Sequence, residues 1–194
     1  MTVPNRLTIL RFFIAATFLI VMLHYDRVEW LLVGLLLFLA ASLTDLYDGI
    51  LARRYDQETD FGRLMDPLAD KMITLIAFVY FVEISELSWP AWLVIILLAR
   101  ELAVNTLRTL AAVRERVMAA AMTGKYKTAV QLTGIFLVLL GLIFYRLDYV
   151  SEAWLNGVSW TTMFLVLILT VYSGIEYYYR NWGLFLACLS KNHD

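Results

Sequence analysis

The chain of 194 residues holds one cysteine, Cys188, and two histidines, His24 and His193. A single thiol excludes an internal disulfide and leaves no Cys pair for a metal site. His24 ends an apolar run and His193 lies in the tail, so no paired covalent nucleophile is offered. Charge is scarce as well. Charged residues make up 17% of the chain, against about 25% in an ordinary soluble domain. Lys+Arg 16 and Asp+Glu 17 balance to a net charge of −1, so no field gathers a polyanion and a nucleic-acid partner is excluded. Apolar residues fill the space at 61%, where soluble domains carry roughly 45–50%. That excludes a soluble enzyme and a disordered tail, and makes the position of each charge informative, because an ion in hydrocarbon costs several kcal/mol.

A bilayer span takes about 20 mostly apolar residues, and six stretches qualify: 7–24, 30–53, 62–82, 89–112, 126–146 and 158–179. Short connections between them predict one all-α integral membrane domain over residues 1–194. The first stretch has no small-x-small cleavage site after it and reads as a retained helix, with Thr2-Val3-Pro4-Asn5 as a short interfacial lead-in. If the N-terminus is cytoplasmic, only Arg27 and Arg146 of the 16 Lys and Arg fall outside, so both termini are expected inside. Trp30, Trp89, Trp92, Trp154 and Trp160 are expected as an aromatic belt at the outer boundary, and Trp182 with Tyr177, Tyr178 and Tyr179 at the inner one.

The second stretch is apolar until it meets Asp45 and Asp48, roughly 22 and 27 Å in from Trp30 at the helical rise. The third runs the other way, and Asp70 and Asp66 lie roughly 20 and 26 Å from Glu83 by the same arithmetic. Spacings of i,i+3 and i,i+4 put each pair on one helix face, so four carboxylates share one depth. They cannot all stay ionised unaided, since like charges raise one another's pKa. Two divalent cations would supply the missing charge, and all-oxygen ligation favours Mg²⁺ or Mn²⁺ over zinc; the plainer alternative is that the aspartates form interfacial salt bridges with Arg53, Arg54, Arg63 and Lys71. Gly49, beside Asp48, and Gly62 would let a bulky ligand approach the backbone, and Arg53 ends that face with a guanidinium suited to phosphate.

These residues read Asp45-Leu-Tyr-Asp48-Gly49-Ile-Leu-Ala52-Arg53, eight residues, Gly62, three residues, Asp66, three residues, Asp70. The pattern resembles the signature of the CDP-alcohol phosphatidyltransferase family at every defining position. The resemblance implies a six-helix membrane enzyme, usually a homodimer, in which an alcohol displaces CMP from a CDP-linked lipid. It implies that Asp45, Asp48 and Asp66 bind the metal pair, and that Asp70 is both a ligand and the general base. It also implies that Gly49, Arg53, Thr59 and Gly62 lie at the CDP head of CDP-diacylglycerol, with Asn5 and Thr8 of the N-terminal stretch over it. Ala99-Arg100-Glu101 through Leu107-Arg108, and Gly124-Lys125-Tyr126-Lys127-Thr128, are similar to the bacterial branch that makes phosphatidylglycerophosphate. Asn105 departs from the Gly or Ala of that branch, which puts the local helix packing in question.

Arg108 and Lys127 each lie roughly 27 Å in from their outer flanks, Pro90 and Tyr145, and so reach the aspartate level. With Lys125 they would hold an acceptor that carries its own phosphate. Arg100 is only about 15 Å deep and must face the interior; Glu101 or the carboxylate cluster is its expected partner, in a structural role or as a further phosphate contact. Glu176 and Arg180 are spaced for an i,i+4 ion pair.

The expected reaction is attack of sn-glycerol 3-phosphate on CDP-diacylglycerol to give phosphatidylglycerophosphate and CMP at the cytoplasmic face of a bacterial inner membrane. An inositol phosphate acceptor remains open on charge alone. A divalent-cation transporter is the reading from a different class, but it needs ionisable groups continuing outward, where stretches two and three are apolar.

Overall fold

The computed structural model describes residues 3–55, 60–113 and 122–183. Among them the chain is all-helical, with α1 Val3–Met22, α2 Val28–Tyr55, α3 Asp60–Glu83, α4 Ala91–Val113, α5 Met122–Arg146 and α6 Glu152–Arg180. Each helix matches one apolar stretch of the sequence. The stretch of α5 from Tyr126 to Arg146 and the whole of α6 are long and apolar enough to cross a membrane, while Thr8–Met22 and Val28–Thr44 are shorter apolar runs.

α3 touches α1, α2, α4 and α5, and α6 closes the bundle against α4 and α5. The core between them holds Phe18, Phe38, Phe81, Leu93, Ile135 and Leu139, all fully buried. On the outside, Leu36 of α2, Ile95 and Leu102 of α4 and Phe164, Ile168 and Ile175 of α6 are exposed. Helices that are apolar on both faces suit a hydrocarbon surrounding rather than water. Hydroxyls on these helices bond to their own backbone, as Ser42 does to the Phe38 carbonyl at 2.8 Å and Thr44 to that of Ala40 at 2.7 Å, so few polar groups are left to be satisfied by solvent. Gly134 lets α5 and α6 close together, since a Cβ there would stand 2.8 Å from Thr162 Cγ2.

One end of the bundle is tied by Arg146, the last residue of α5. Its guanidinium pairs with Glu86 of the α3–α4 connection and, at 3.5 Å, with Asp26 of the α1–α2 connection. It also sits 5.3 Å from the Tyr25 ring centre and 5.4 Å from that of Tyr145. Three connections therefore meet at that end. Burial pushes the Glu86 carboxyl up, but its own backbone N–H, the Ser85 hydroxyl and Arg146 outweigh this and hold it below the usual range.

Residues 3–5 continue α1 as its first turn; Pro4 is tolerated there because a helix's first N–H groups lack intrahelical acceptors. Three expectations are corrected. Trp89 is 3% exposed and packs on Phe78 and Phe81, with ring centres 6.4 and 5.7 Å apart. The connection turns inward through Ser88, whose φ of 52° reverses the chain. Tyr177 is likewise buried, against Val104 and Leu107. Trp30, Trp92, Trp154 and Trp182 are exposed as an anchor requires. α6 begins six residues before the predicted 158, because the Ser151 hydroxyl caps it by accepting from the Trp154 N–H at 3.3 Å.

Candidate active site

α2 carries Asp45, Asp48, Gly49 and Arg53 in its C-terminal part, and α3 carries Gly62, Asp66 and Asp70 in its N-terminal part. Both aspartate pairs thus lie on continuous helix, one turn apart, on two packed neighbours. Carboxylates are in kind the hard oxygen donors that Mg²⁺ and Mn²⁺ prefer. The side chains of these residues, and of Asn5, Arg108 and Lys125 on α1, α4 and α5, lie outside the described residues, as do Thr59, Cys188 and His193 altogether.

What is described is a buried polar cluster beside that end of α3. Lys71, the residue after Asp70, donates to Glu101 Oε2 at 3.0 Å and to Asn105 Oδ1 at 2.8 Å. Lys127 donates to Glu101 Oε1, and Gln131 Nε2 lies 3.4 Å from the same oxygen and from Thr170 Oγ1. Arg100 stands 3.6 Å from Glu101 Oε1 and donates to Ser173 Oγ at 2.9 Å. The i,i+4 spacing explains the convergence: Glu101 with Asn105 on α4 and Lys127 with Gln131 on α5 each form one face. Glu101 is 5% and Lys127 4% exposed, so one buried carboxylate is shared by three cations.

A cavity of about 240 Å³ opens against this cluster. Its polar lining residues are Arg11, Ser42, Lys71, Glu101, Lys127, Thr128 and Gln131, and its apolar ones include Phe78, Leu97, Leu98 and Leu132. Lys71, Lys127 and Arg11 bring cationic side chains to the described lining, and ammonium and guanidinium groups are the ones that hold a phosphate.

Several sequence expectations can be placed here. Lys127 reaches the cavity. Arg100 has the expected partner, Glu101, but turns toward α6 and does not line the cavity. Gly174 provides its seat, since a Cβ there would meet Arg100 Cγ at 2.9 Å. Thr8 is buried on α1. Asn105, far from disturbing the packing, accepts from Lys71. Arg180 pairs with Glu176 at 3.4 Å. Lys71, Arg11 and Gln131 were not signalled as site residues. Membrane topology alone accounts for the charges of Lys71 and Arg11 in the sequence, and Gln131 belongs to no spacing pattern that marks a site.

Comparison with known proteins bears on the chain as a whole. The family model for CDP-alcohol phosphatidyltransferase matches residues 1–173. A Bacillus subtilis (strain 168) protein named CDP-diacylglycerol--glycerol-3-phosphate 3-phosphatidyltransferase is 37% identical over 190 residues, covering 92% of this chain and 94% of its own. A probable phosphatidylglycerophosphate synthase of Mycobacterium tuberculosis is 34% identical over 180 residues, covering 91% and 79%. A Cereibacter sphaeroides protein with the same name as the Bacillus one is 32% identical over 162 residues, covering 82% and 71%. With a signature complete from Asp45 to Asp70 and a match that runs through five of the six helices into the last, this chain belongs to the CDP-alcohol phosphatidyltransferase family.

Proposed function

We propose that the chain transfers the phosphatidyl group of CDP-diacylglycerol to sn-glycerol 3-phosphate, giving phosphatidylglycerophosphate and CMP. The observation that carries this is the gathering of Lys71, Lys127 and Arg100 on Glu101 at the cavity, beside the helix that bears Asp66 and Asp70. An acceptor with its own phosphate needs such a pocket. The names of the relatives point to the same acceptor.

In this scheme Lys127, with Arg108 and Lys125, holds the acceptor phosphate, and Arg100 backs them from behind Glu101. Held there, the acceptor presents its hydroxyl toward the α3 aspartates, and alignment of this kind lowers the entropic part of the barrier. Asp70 takes the hydroxyl proton as the oxygen bonds to the phosphatidyl phosphorus. The bond from that phosphorus to the bridging oxygen breaks, and CMP leaves with the electron pair. Asp45, Asp48, Asp66 and Asp70 would hold two Mg²⁺ or Mn²⁺ ions, which when bound screen the pyrophosphate and stabilise charge on the leaving group. Gly49, Arg53, Thr59 and Gly62, with Asn5 and Thr8 above, embrace the CDP head. The six helices cross a bacterial inner membrane with both termini and the site at the cytoplasmic side, and the chain works as a homodimer.

Purified protein in detergent should release CMP from CDP-diacylglycerol when sn-glycerol 3-phosphate is added, and not with inositol phosphate or serine. Asp70→Asn should abolish release while leaving the protein folded. Release with inositol phosphate alone would replace the acceptor, and full turnover by Asp70→Asn would remove that residue from its role.

A further inference from the structure

Glu101 is the buried group for which the transfer scheme has no direct use. It is acidic, in a pocket that would bind an anion, and so would weaken the very binding the pocket provides. Both of its oxygens are occupied. Oε2 accepts from Lys71 on α3, and Oε1 accepts from Lys127 on α5. Gln131 and Arg100 stand 3.4 and 3.6 Å from Oε1. A pair buried this deeply is weak evidence of a stabilising role, because desolvation consumes most of the attraction. Its geometric effect is larger. Lys71 follows Asp70 directly in the chain, and Lys127, on α5, lines the cavity. A single carboxylate therefore fixes the distance between the aspartate-bearing segment of α3 and a cation of α5.

We propose that Glu101 is a positioning residue, touching neither substrate, which sets the acceptor-phosphate cation Lys127 at its working separation from the α3 aspartates. The proposal rests on the transfer function above. It makes a prediction opposite in sign to simple electrostatics. If Glu101 were only a counter-charge, Glu101→Gln would leave the pocket more positive and tighten its hold on an anion. If Glu101 positions Lys71 and Lys127, the same change releases both and weakens that hold despite the more favourable charge.

The test is steady-state kinetics on the purified full chain with each substrate varied in turn. For Glu101→Gln we expect the KM for sn-glycerol 3-phosphate to rise at least tenfold, the KM for CDP-diacylglycerol to stay within twofold, and competition by inorganic phosphate to weaken in step. Glu101→Asp keeps the charge but withdraws the carboxylate by one methylene. It should raise the acceptor KM at least threefold, and it decides the question if the glutamine variant does not fold. An acceptor KM that is unchanged or lowered in either variant, or a rise shared equally by both substrates, overturns the proposal. Absence of acceptor-dependent CMP release from the unaltered protein would instead overturn the transfer function, and the proposal with it.

Discussion

Replacing Arg146 with glutamine probes how the end of the bundle opposite the aspartates is held. Three connections meet on this guanidinium, which pairs with Glu86 and Asp26 and lies over Tyr25 and Tyr145. Asp26 is 76% exposed and its pairing adds little, as exposed ion pairs do. Glu86 is 14% exposed, and a charge-assisted hydrogen bond to such a group contributes about 1.5–3 kcal/mol. The two ring contacts add about 0.5–1 kcal/mol each at a half-exposed site. Glutamine keeps one amide donor and recovers part of this, so a net loss of about 2–3 kcal/mol is expected. For a chain of this size that lowers the melting temperature by about 4–12 °C. Thermal unfolding in detergent, followed by tryptophan fluorescence, measures it. The Glu86 carboxyl sits below its ordinary range in the folded protein. Its contribution is therefore fully present above the unfolded value, about 4.3, and lost as pH falls through the lower folded value. The difference between the unaltered protein and Arg146→Gln should hold at pH 7 and shrink on acidification below about 4.5. An unchanged melting temperature, or a difference that grows on acidification, would refute the clasp. CMP release should be unaffected at temperatures where both proteins are folded.

Gly174→Ala should push Arg100 off α6 and away from Ser173, lowering stability by about 1–2 kcal/mol as overpacking does; a melting temperature equal to the unaltered protein's would show that the side chain yields freely. Lys127→Met should raise the acceptor KM at least tenfold, since it removes a cavity cation and leaves Glu101 one partner short; substrate-saturation curves check it. Chelation should abolish turnover and added Mg²⁺ or Mn²⁺ restore it, with far-ultraviolet circular dichroism unchanged throughout.

Much of this could be read from apolar length. Each of the six helices coincides with an apolar stretch, as a helix satisfies every backbone N–H and C=O within its own segment however apolar its surroundings. Contacts at one-turn spacing were legible too, as for Glu176 with Arg180, and so was the neighbour pair Arg100 and Glu101. What stayed hidden depends on which helices become neighbours. By rise alone, Lys127 and Arg100 differ in depth by about 12 Å. Yet both reach Glu101, because a lysine side chain extends several ångströms along its helix and rise alone takes no account of how the helices incline. Trp89 has the character of an interfacial anchor but is buried, after a positive φ at Ser88 that no glycine or asparagine announces. Gly174 and Gly134 read as generic small residues until the arginine and the helix they admit are seen.

The central claim is transfer of a phosphatidyl group to a phosphate-bearing acceptor at the aspartate end of the bundle. It is tested most directly by incubating the purified protein with CDP-diacylglycerol, Mg²⁺ and labelled sn-glycerol 3-phosphate, then measuring label in the organic phase against CMP released. Equal amounts of lipid-bound label and CMP are expected. CMP release without label entering lipid, or no release at all, would contradict the account.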